Sequence, residues 1–340
     1  MNNGEMHRDA RVYIAGHRGL VGSALVRRLE RAGYQNLMLR THEELDLTDQ
    51  KAVAEFFSSQ CPDYVFLAAA RVGGIMANSI YPAEFIQQNL SIQTNVIHEA
   101  WKAKVKRLLF LGSSCIYPRD CPQPMREDDL LSGPLEATNR AYALAKIAGI
   151  EMCCAYNQQY GTRFLAVMPA NVYGPSDNFN LETSHVLPAL IRKMHEAKIR
   201  GDTEMIAWGT GTPKREFLYS DDLADASVFL MELSENGSVP INIGCGKEIS
   251  IKDLAELVRK IVGFKGKIAW DKDKPDGSPQ KLLDTSRLVK MGWKYTFSLT
   301  SGIQHTYKHF VESMEFPQSA QRFSADLDRA QATQGTVEDI

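Results

Sequence analysis

Short apolar runs and longer amphipathic stretches alternate along the first half of the chain. Arg11–Ala15, Asn36–Leu39, Tyr64–Ala69, Arg107–Leu111 and Phe164–Met168 are rich in branched and aromatic side chains and predict strands. Between them, Ser23–Ala32, Lys51–Ser58, the stretch around Phe85–Lys102 and Tyr142–Tyr160 space their apolar residues as helix faces do. The first of these helices stops at Gly33, a residue that accepts the left-handed turn ending a helix. Strands and helices alternating at this distance predict βαβ units, and therefore a parallel sheet with right-handed crossovers. After about Tyr173 the rhythm changes. Trp208–Pro213, Asn242–Gly246 and Lys274–Pro279 bring Gly, Pro and Trp between short helices such as Ile251–Val262.

The expected architecture is α/β, a Rossmann doubly wound parallel sheet with a smaller C-terminal α/β substrate-binding lobe. Residues 1–10 are expected as a flexible N-terminus and 11–174 as mainly the cofactor-binding sheet domain. Residues 175–315 are expected as mainly the substrate-binding lobe with excursions back to the sheet, and 316–340 as a polar, mobile tail. A chain of 340 residues is long enough for such a pair of units.

Composition narrows the partners. A net charge of −2 gives no global field that would recruit nucleic acid or an anionic membrane. The cluster Lys102, Lys104, Lys106 and Arg107 reads as a solvated face. No apolar run approaches the ~18 residues that span a bilayer, and Met1–Asp9 lacks the apolar centre of a signal peptide. A cytoplasmic protein with no membrane partner is expected. The six cysteines show no CxxC spacing, so reduced thiols are expected and no metal. Cys61, Cys153, Cys154 and Cys245 read as structural, and Cys121, in a proline-rich loop, as exposed.

The first predicted strand runs into Gly16-His17-Arg18-Gly19-Leu20-Val21-Gly22, and a helix follows. Glycines in such a turn let backbone N–H groups approach a pyrophosphate at the helix N-terminus. The second strand ends in Leu39-Arg40-Thr41-His42, where an NAD site would usually carry an acidic residue for the ribose hydroxyls. Arg40, with His42 nearby and Arg18 in the glycine loop, suits the extra 2′-phosphate of NADP, although Glu43 and Glu44 follow. The expected cofactor is NADPH/NADP+.

Tyr142 and Lys146 are four residues apart in a predicted helix and share a face. A tyrosine hydroxyl titrates near ~10, and a lysine one turn away is expected to stabilise its phenolate and lower that value. Ser113, with Ser114 beside it, follows an intervening strand and can polarise a carbonyl oxygen alongside the tyrosine. This ordered trio is the signature of extended short-chain dehydrogenases.

The chain closely resembles the GDP-L-fucose synthase family, the 3,5-epimerase/4-reductases of GDP-sugars. The resemblance is carried by Gly16–Ser23, Val72-Gly73-Gly74-Ile75, Leu108–Pro118 with its GSSCIYP stretch, Ala145–Gly149, Ser184-His185-Val186-Leu187-Pro188, Trp208-Gly209-Thr210-Gly211 and Lys274-Pro275-Asp276-Gly277. It covers about residues 11 to 310. It implies GDP-4-keto-6-deoxy-D-mannose as substrate, Cys115 as the base and His185 as the acid of the epimerisation, and Ser113, Tyr142 and Lys146 at the reduced ketone.

The resemblance further implies cofactor contacts from Leu111, Gly112, Ser113, Ser114, Pro169, Asn171, Val172 and His185, with Asp46 and Leu47 near the adenine. Lys193, Trp208, Arg215 and Asp276 are implied as sugar-nucleotide contacts, and a homodimer as the assembly. Related sequences often carry Arg where this chain has His42, which shifts weight for the 2′-phosphate to Arg18 and Arg40. Without the resemblance, Cys115 could be a buried filler and His185 a helix cap or a packed ring. The alternative reading is a non-reductive sugar-nucleotide 4-epimerase or dehydratase of the same fold, which gives Cys115 and His185 no task. A binding protein that keeps the NADP site and has lost catalysis is a further alternative, against which Tyr142 and Lys146 count.

Overall fold

The computed structural model describes residues 6–233 and 239–315. Residues 1–5 of the expected N-terminal stretch and the whole of the 316–340 tail are not among the described residues. Met6 is buried, and its carbonyl accepts a hydrogen bond from the Tyr34 hydroxyl at 2.8 Å.

In chain order the first half contains β1 (Val12–Ala15), α1 (Leu20–Arg31), β2 (Leu37–Met38), α2 (Gln50–Gln60), β3 (Tyr64–Leu67), α3 (Ile75–Ile80), α4 (Pro82–Lys102), β4 (Arg107–Leu111), α5 (Arg140–Tyr160) and β5 (Phe164–Pro169). The second half contains β6 (Asn171–Tyr173), α6 (Val186–Arg200), β7 (Glu204–Trp208), β8 (Lys214–Tyr219), α7 (Ser220–Glu232) and β9 (Ile241–Ile243). It finishes with β10 (Glu248–Ser250), α8 (Ile251–Val262), β11 (Lys267–Asp271), β12 (Gln280–Lys281), α9 (Ser286–Lys290) and α10 (Leu299–Glu315).

The central sheet has six parallel strands in the order β2-β1-β3-β4-β5-β9. Strands β1, β3, β4 and β5 are buried along their whole length, as strands covered by helices on both faces must be. Each large apolar side chain they take out of water contributes roughly 1.5–3 kcal/mol. Helix α1 buries Ala24, Leu25 and Leu29 and meets α7 through Arg27–Asp221 at 2.5 Å and Arg28–Asp225 at 2.7 Å.

Strand order reverses beside β1: the chain leaves β1 for β2 on one side and returns to β3 on the other. Ligand crevices of open α/β sheets form at the carboxyl ends of the strands at such a point. The chain then adds smaller sheets, β8 with β6, β10 and β12, and β7 with β11. A second apolar core joins them to α6, α8 and α10 through Leu187, Ile191, Met194, Leu254, Val258 and Ile303. Strand β9 carries the later chain back to the edge of the main sheet.

Two expectations are corrected. Arg107 is no part of a solvated face: it is buried and donates to the carbonyls of Leu230, Met231 and Leu233 at the end of α7. A buried guanidinium there donates to helix-terminal carbonyls that have no N–H donor within the helix. Cys121 is buried rather than exposed, and burial first, then Asp129, pushes its thiol up to about 11. Among the described residues no helix is long and apolar enough to cross a membrane, and no group of His, Cys, Asp and Glu is arranged to hold a metal ion.

Candidate active site

One cleft of about 2050 Å³ runs from the carboxyl end of the main sheet to the smaller sheets. Its floor begins at the glycine loop between β1 and α1. Gly16 has φ +81°, and a Cβ on it would lie 2.8 Å from the Ala69 backbone that follows β3. A Cβ on Gly22 would fall 2.0 Å from the Gly16 carbonyl oxygen. The loop is therefore a tight coil that only glycine allows. Gly19 caps α1 without a side-chain bond, and Gly19, Leu20, Val21 and Gly22 all line the cleft. The N–H groups of a helix's first turn have no acceptor within the helix, so this end presents donors and a positive dipole to an anion.

Arg18, Arg40, His42, Asp46 and Leu47 line the same end of the cleft. The Arg40 guanidinium donates to the Leu39 carbonyl at 2.9 Å and sits 5.7 Å from the Phe56 ring centroid. His42 Nδ1 lies 3.8 Å from the Asp46 carboxylate, which also accepts from Thr48. A dinucleotide with an extra phosphate fits these groups: the glycine turn leaves room for a pyrophosphate and the arginines supply charge. His17 does not line the cleft. Burial, then the neighbouring charge of Arg18, lowers the pKa of its ring.

At the middle of the cleft, β4 ends in Leu111, and Gly112 leads into a single 3-10 turn, Ser114–Ile116. The Ser113 hydroxyl oxygen accepts from the Cys115 N–H at 3.2 Å, capping that turn and turning the thiol towards the cleft. Helix α5 supplies Tyr142 and Lys146. It lies close to the sheet because Gly149 has no side chain: a Cβ there would be 2.4 Å from Phe110. Lys146 is 3 % exposed, donates to the Leu111 carbonyl at 2.7 Å and has its Nζ 5.8 Å from the Tyr142 ring centroid. Burial brings its pKa down to about 7.

The expected effect on Tyr142 is reversed. Burial, and then the Cys115 sulfur, raise its pKa, with the Ser113 hydroxyl opposing them. Desolvation disfavours the phenolate, and the group that opposes it is Ser113, not the lysine on the shared helix face. Tyr142 therefore keeps its proton and stands as a donor.

Burial also opposes ionisation of Cys115, but the Lys281 ammonium, the Ser113 hydroxyl and Arg215 outweigh it, and the thiol lies below its ordinary pKa. His185 is the N-cap residue of α6, and its side chain makes no capping bond. The ring is left to face the cleft. The surrounding protein, then Lys281, lower its pKa.

Pro169, Asn171 and Val172 line the cleft where β5 passes into β6, and the Asn171 amide donates to the Glu216 carbonyl at 2.9 Å. Lys193, Trp208, Arg215 and Asp276 line its far end. Trp208 is 42 % exposed, with Lys193 Nζ 4.7 Å and Lys274 Nζ 5.4 Å from its ring. Asp276 accepts from the Thr210 N–H at 2.8 Å and hydroxyl at 2.7 Å, and the Arg215 guanidinium donates to the Asp276 carbonyl at 3.3 Å. The structure thus brings every anticipated site residue except His17 to one cleft.

Two cleft groups carried no signal in the sequence. Lys281 Nζ is 3.4 Å from Cys115 Sγ although 166 residues separate them. Asp177, in the loop after β6, has a buried oxygen with no hydrogen-bond partner, and burial raises its carboxyl to about 7. Neither residue lies in a spaced motif, so only the folded chain brings them into view.

Comparisons with known proteins agree with this geometry. Residues 12–244 match the NAD dependent epimerase/dehydratase family. The chain is 56 % identical over 309 residues to a putative GDP-L-fucose synthase 2 of Arabidopsis thaliana, covering 91 % of this chain and 94 % of that one. It is 51 % identical over 313 residues to the GDP-L-fucose synthase of Escherichia coli K12, covering 90 % and 98 %. A GDP-mannoheptose C4 reductase from Campylobacter jejuni with NADP bound superposes with a TM-score of 0.82 at 40 % identity, covering 90 % of this chain and 99 % of the other. With a parallel sheet, a glycine-turn cofactor cleft and these relatives, the chain belongs to the NAD dependent epimerase/dehydratase family and, within it, to the GDP-L-fucose synthase family.

Proposed function

We propose that this protein converts GDP-4-keto-6-deoxy-D-mannose to GDP-L-fucose, inverting C3 and C5 and then reducing the C4 ketone with NADPH. The observation that carries the reading is the single turn that sets Cys115 two residues beyond Ser113, in the same cleft as Tyr142, Lys146 and His185. A ketone acidifies the carbons on either side of it. Ser113 and Tyr142 donate hydrogen bonds to the C4 oxygen. The Cys115 thiolate takes the C3 proton and the C5 proton in separate steps, and each time the electron pair moves into an enolate held by the same two hydroxyls. His185 returns a proton to each carbon from the other face.

NADPH, when bound, supplies the hydride for C4. Tyr142 gives its proton to the C4 oxygen, and the Lys146 ammonium, below about pH 7, balances the phenolate left behind. Lys193 and Arg215 meet the diphosphate, Trp208 offers a flat apolar face and Asp276 accepts from hydroxyls. The alternative of a non-reductive epimerase or dehydratase leaves Cys115 and His185 without work. We also take residues 11–174 as mainly the NADP-holding part and 175–315 as mainly the substrate-holding part, and the protein as a cytoplasmic homodimer.

The deciding assay mixes protein, GDP-4-keto-6-deoxy-D-mannose and NADPH, follows NADPH absorbance and identifies the product by NMR. One NADPH oxidised per GDP-L-fucose formed is the expected result. A manno-configured product would remove the epimerase assignment, and no oxidation beside an active control enzyme would remove the reductase.

Cofactor preference gives an independent check. Arg40→Ala is expected to raise the KM for NADPH roughly 10- to 100-fold while leaving that for NADH nearly unchanged, since a charge-assisted hydrogen bond contributes roughly 1.5–3 kcal/mol. An unaltered NADPH/NADH ratio would take the 2′-phosphate away from Arg40.

A further inference from the structure

We propose that Lys281 is a positioning residue for proton abstraction: its ammonium, 3.4 Å from the Cys115 sulfur, holds that sulfur as the anion that attacks a C–H bond. The proposal deepens the reading above and rests on Cys115 being the base of the epimerisation.

The placement is built into the fold. Lys281 lies in β12, parallel to β8 and in register with Arg215. Registered residues of adjacent strands project to the same side of a sheet, so two cations arrive together beside the thiol. The backbone around Lys281 is pinned. The N–H of Leu282 donates to the Gln123 side chain at 2.8 Å, its carbonyl accepts from Met125 at 2.8 Å, and the N–H of Leu283 donates to the buried Glu216 carboxylate at 2.9 Å. Among the described residues Lys281 has no carboxylate partner within salt-bridge distance, and its bond to sulfur is the one its ammonium makes.

The groups that face Cys115 come from several elements: Ser113 from its own turn, Tyr142 from α5, Arg215 from β8 and Lys281 from β12. Against the burial that disfavours a thiolate, Lys281 is the largest of the charges that favour it. The same cation acts on His185, lowering its pKa. Together with burial, one ammonium thus acts on both partners of the proton transfer. During the step the sulfur gains the carbon's proton, the C–H electron pair becomes the enolate, and Lys281 keeps its own proton throughout. Afterwards its charge favours loss of the new S–H proton to solvent, which restores the base.

The test reads the thiol directly, without turnover. Wild type, Lys281→Met, Lys281→Gln and Lys281→Arg are alkylated with iodoacetamide across a pH series, and carboxamidomethylation of the Cys115 peptide is followed by mass spectrometry. An opposite charge within ~4–6 Å shifts a pKa by about 1–3, so the midpoint for Cys115 should rise by about that much on the pH scale in the Met and Gln variants and stay low in the Arg variant. The exposed Cys61 serves as the reference whose midpoint must not move.

Deuterium exchange at C3 and C5 should fall at least tenfold at neutral pH in Lys281→Met and recover at high pH, a rescue that a merely structural role would not give. An unshifted Cys115 midpoint in any folded Met or Gln variant overturns the proposal. Full exchange by Cys115→Ser would instead overturn the base assignment beneath it, whatever the alkylation midpoints.

Discussion

Cys115→Ser should cut formation of GDP-L-fucose by about 10³-fold while leaving NADPH binding intact, in line with the 10²–10⁴-fold that a positioned general base supplies. The exchange of one sulfur for oxygen keeps the shape of the 3-10 turn, because the bond that sets it runs from the Cys115 N–H to Ser113 and does not use the thiol. What changes is acidity. A thiol brought below its ordinary pKa, against burial, by Lys281, Ser113 and Arg215 gives up its proton far more readily than a serine hydroxyl does. Deuterium incorporation at C3 and C5, read by NMR in heavy water, should disappear with it. Cofactor binding, measured by fluorescence or calorimetry, should match wild type, since the glycine loop and the arginines lie at the other end of the cleft. Undiminished product formation by the serine variant would end the role of Cys115.

Tyr142→Phe separates the two half-reactions. Hydride reduction should slow by about 10²–10⁴-fold, because the phenol that gives a proton to the C4 oxygen is gone. Exchange at C3 and C5 should continue, since Cys115, His185 and Ser113 remain. If exchange stopped as completely as reduction, the Tyr142 hydrogen bond to the enolate would be as indispensable as its proton, Ser113 would not suffice alone, and the separation would fail. The wild-type reduction step carries a pH signature of its own. Burial brings Lys146 down to about 7, so its ammonium is present below that pH and lost above it. Single-turnover reduction should therefore decline as pH rises through about 7. Lys146→Met should be slow throughout and lose that limb, and a wild-type profile flat across the range would show that the charge on Lys146 is not used.

Much of the fold was legible in the chain. The continuous apolar run Leu108–Leu111 could only be satisfied by cover on both faces, which is what a parallel sheet between helices provides. The glycine loop was equally plain, because φ +81° at Gly16 and the 2.0 Å approach at Gly22 exclude other residues whatever the rest of the chain does. The pairing of Tyr142 with Lys146 followed from helical periodicity. Residues joined by local geometry leave a regular spacing in sequence, and that spacing is readable.

Local spacing was silent where charge and burial act across the fold. Arg107 looks like one of a row of surface cations, yet the end of α7, far along the chain, closes over it. Cys121 sits among prolines and is buried all the same. The direction of the Tyr142 pKa shift depended on how completely the cleft removes water, a property of the assembled walls and not of the lysine one turn away. Lys281 reaches Cys115 only because β12 returns beside β8 after 166 residues. The sequence by itself determined the elements, the cofactor turn and the residue types of the chemistry, because steric and periodic rules act between near neighbours. Tertiary structure alone decided which charges surround the thiol and which groups lose their water, because electrostatics and desolvation depend on distance in space.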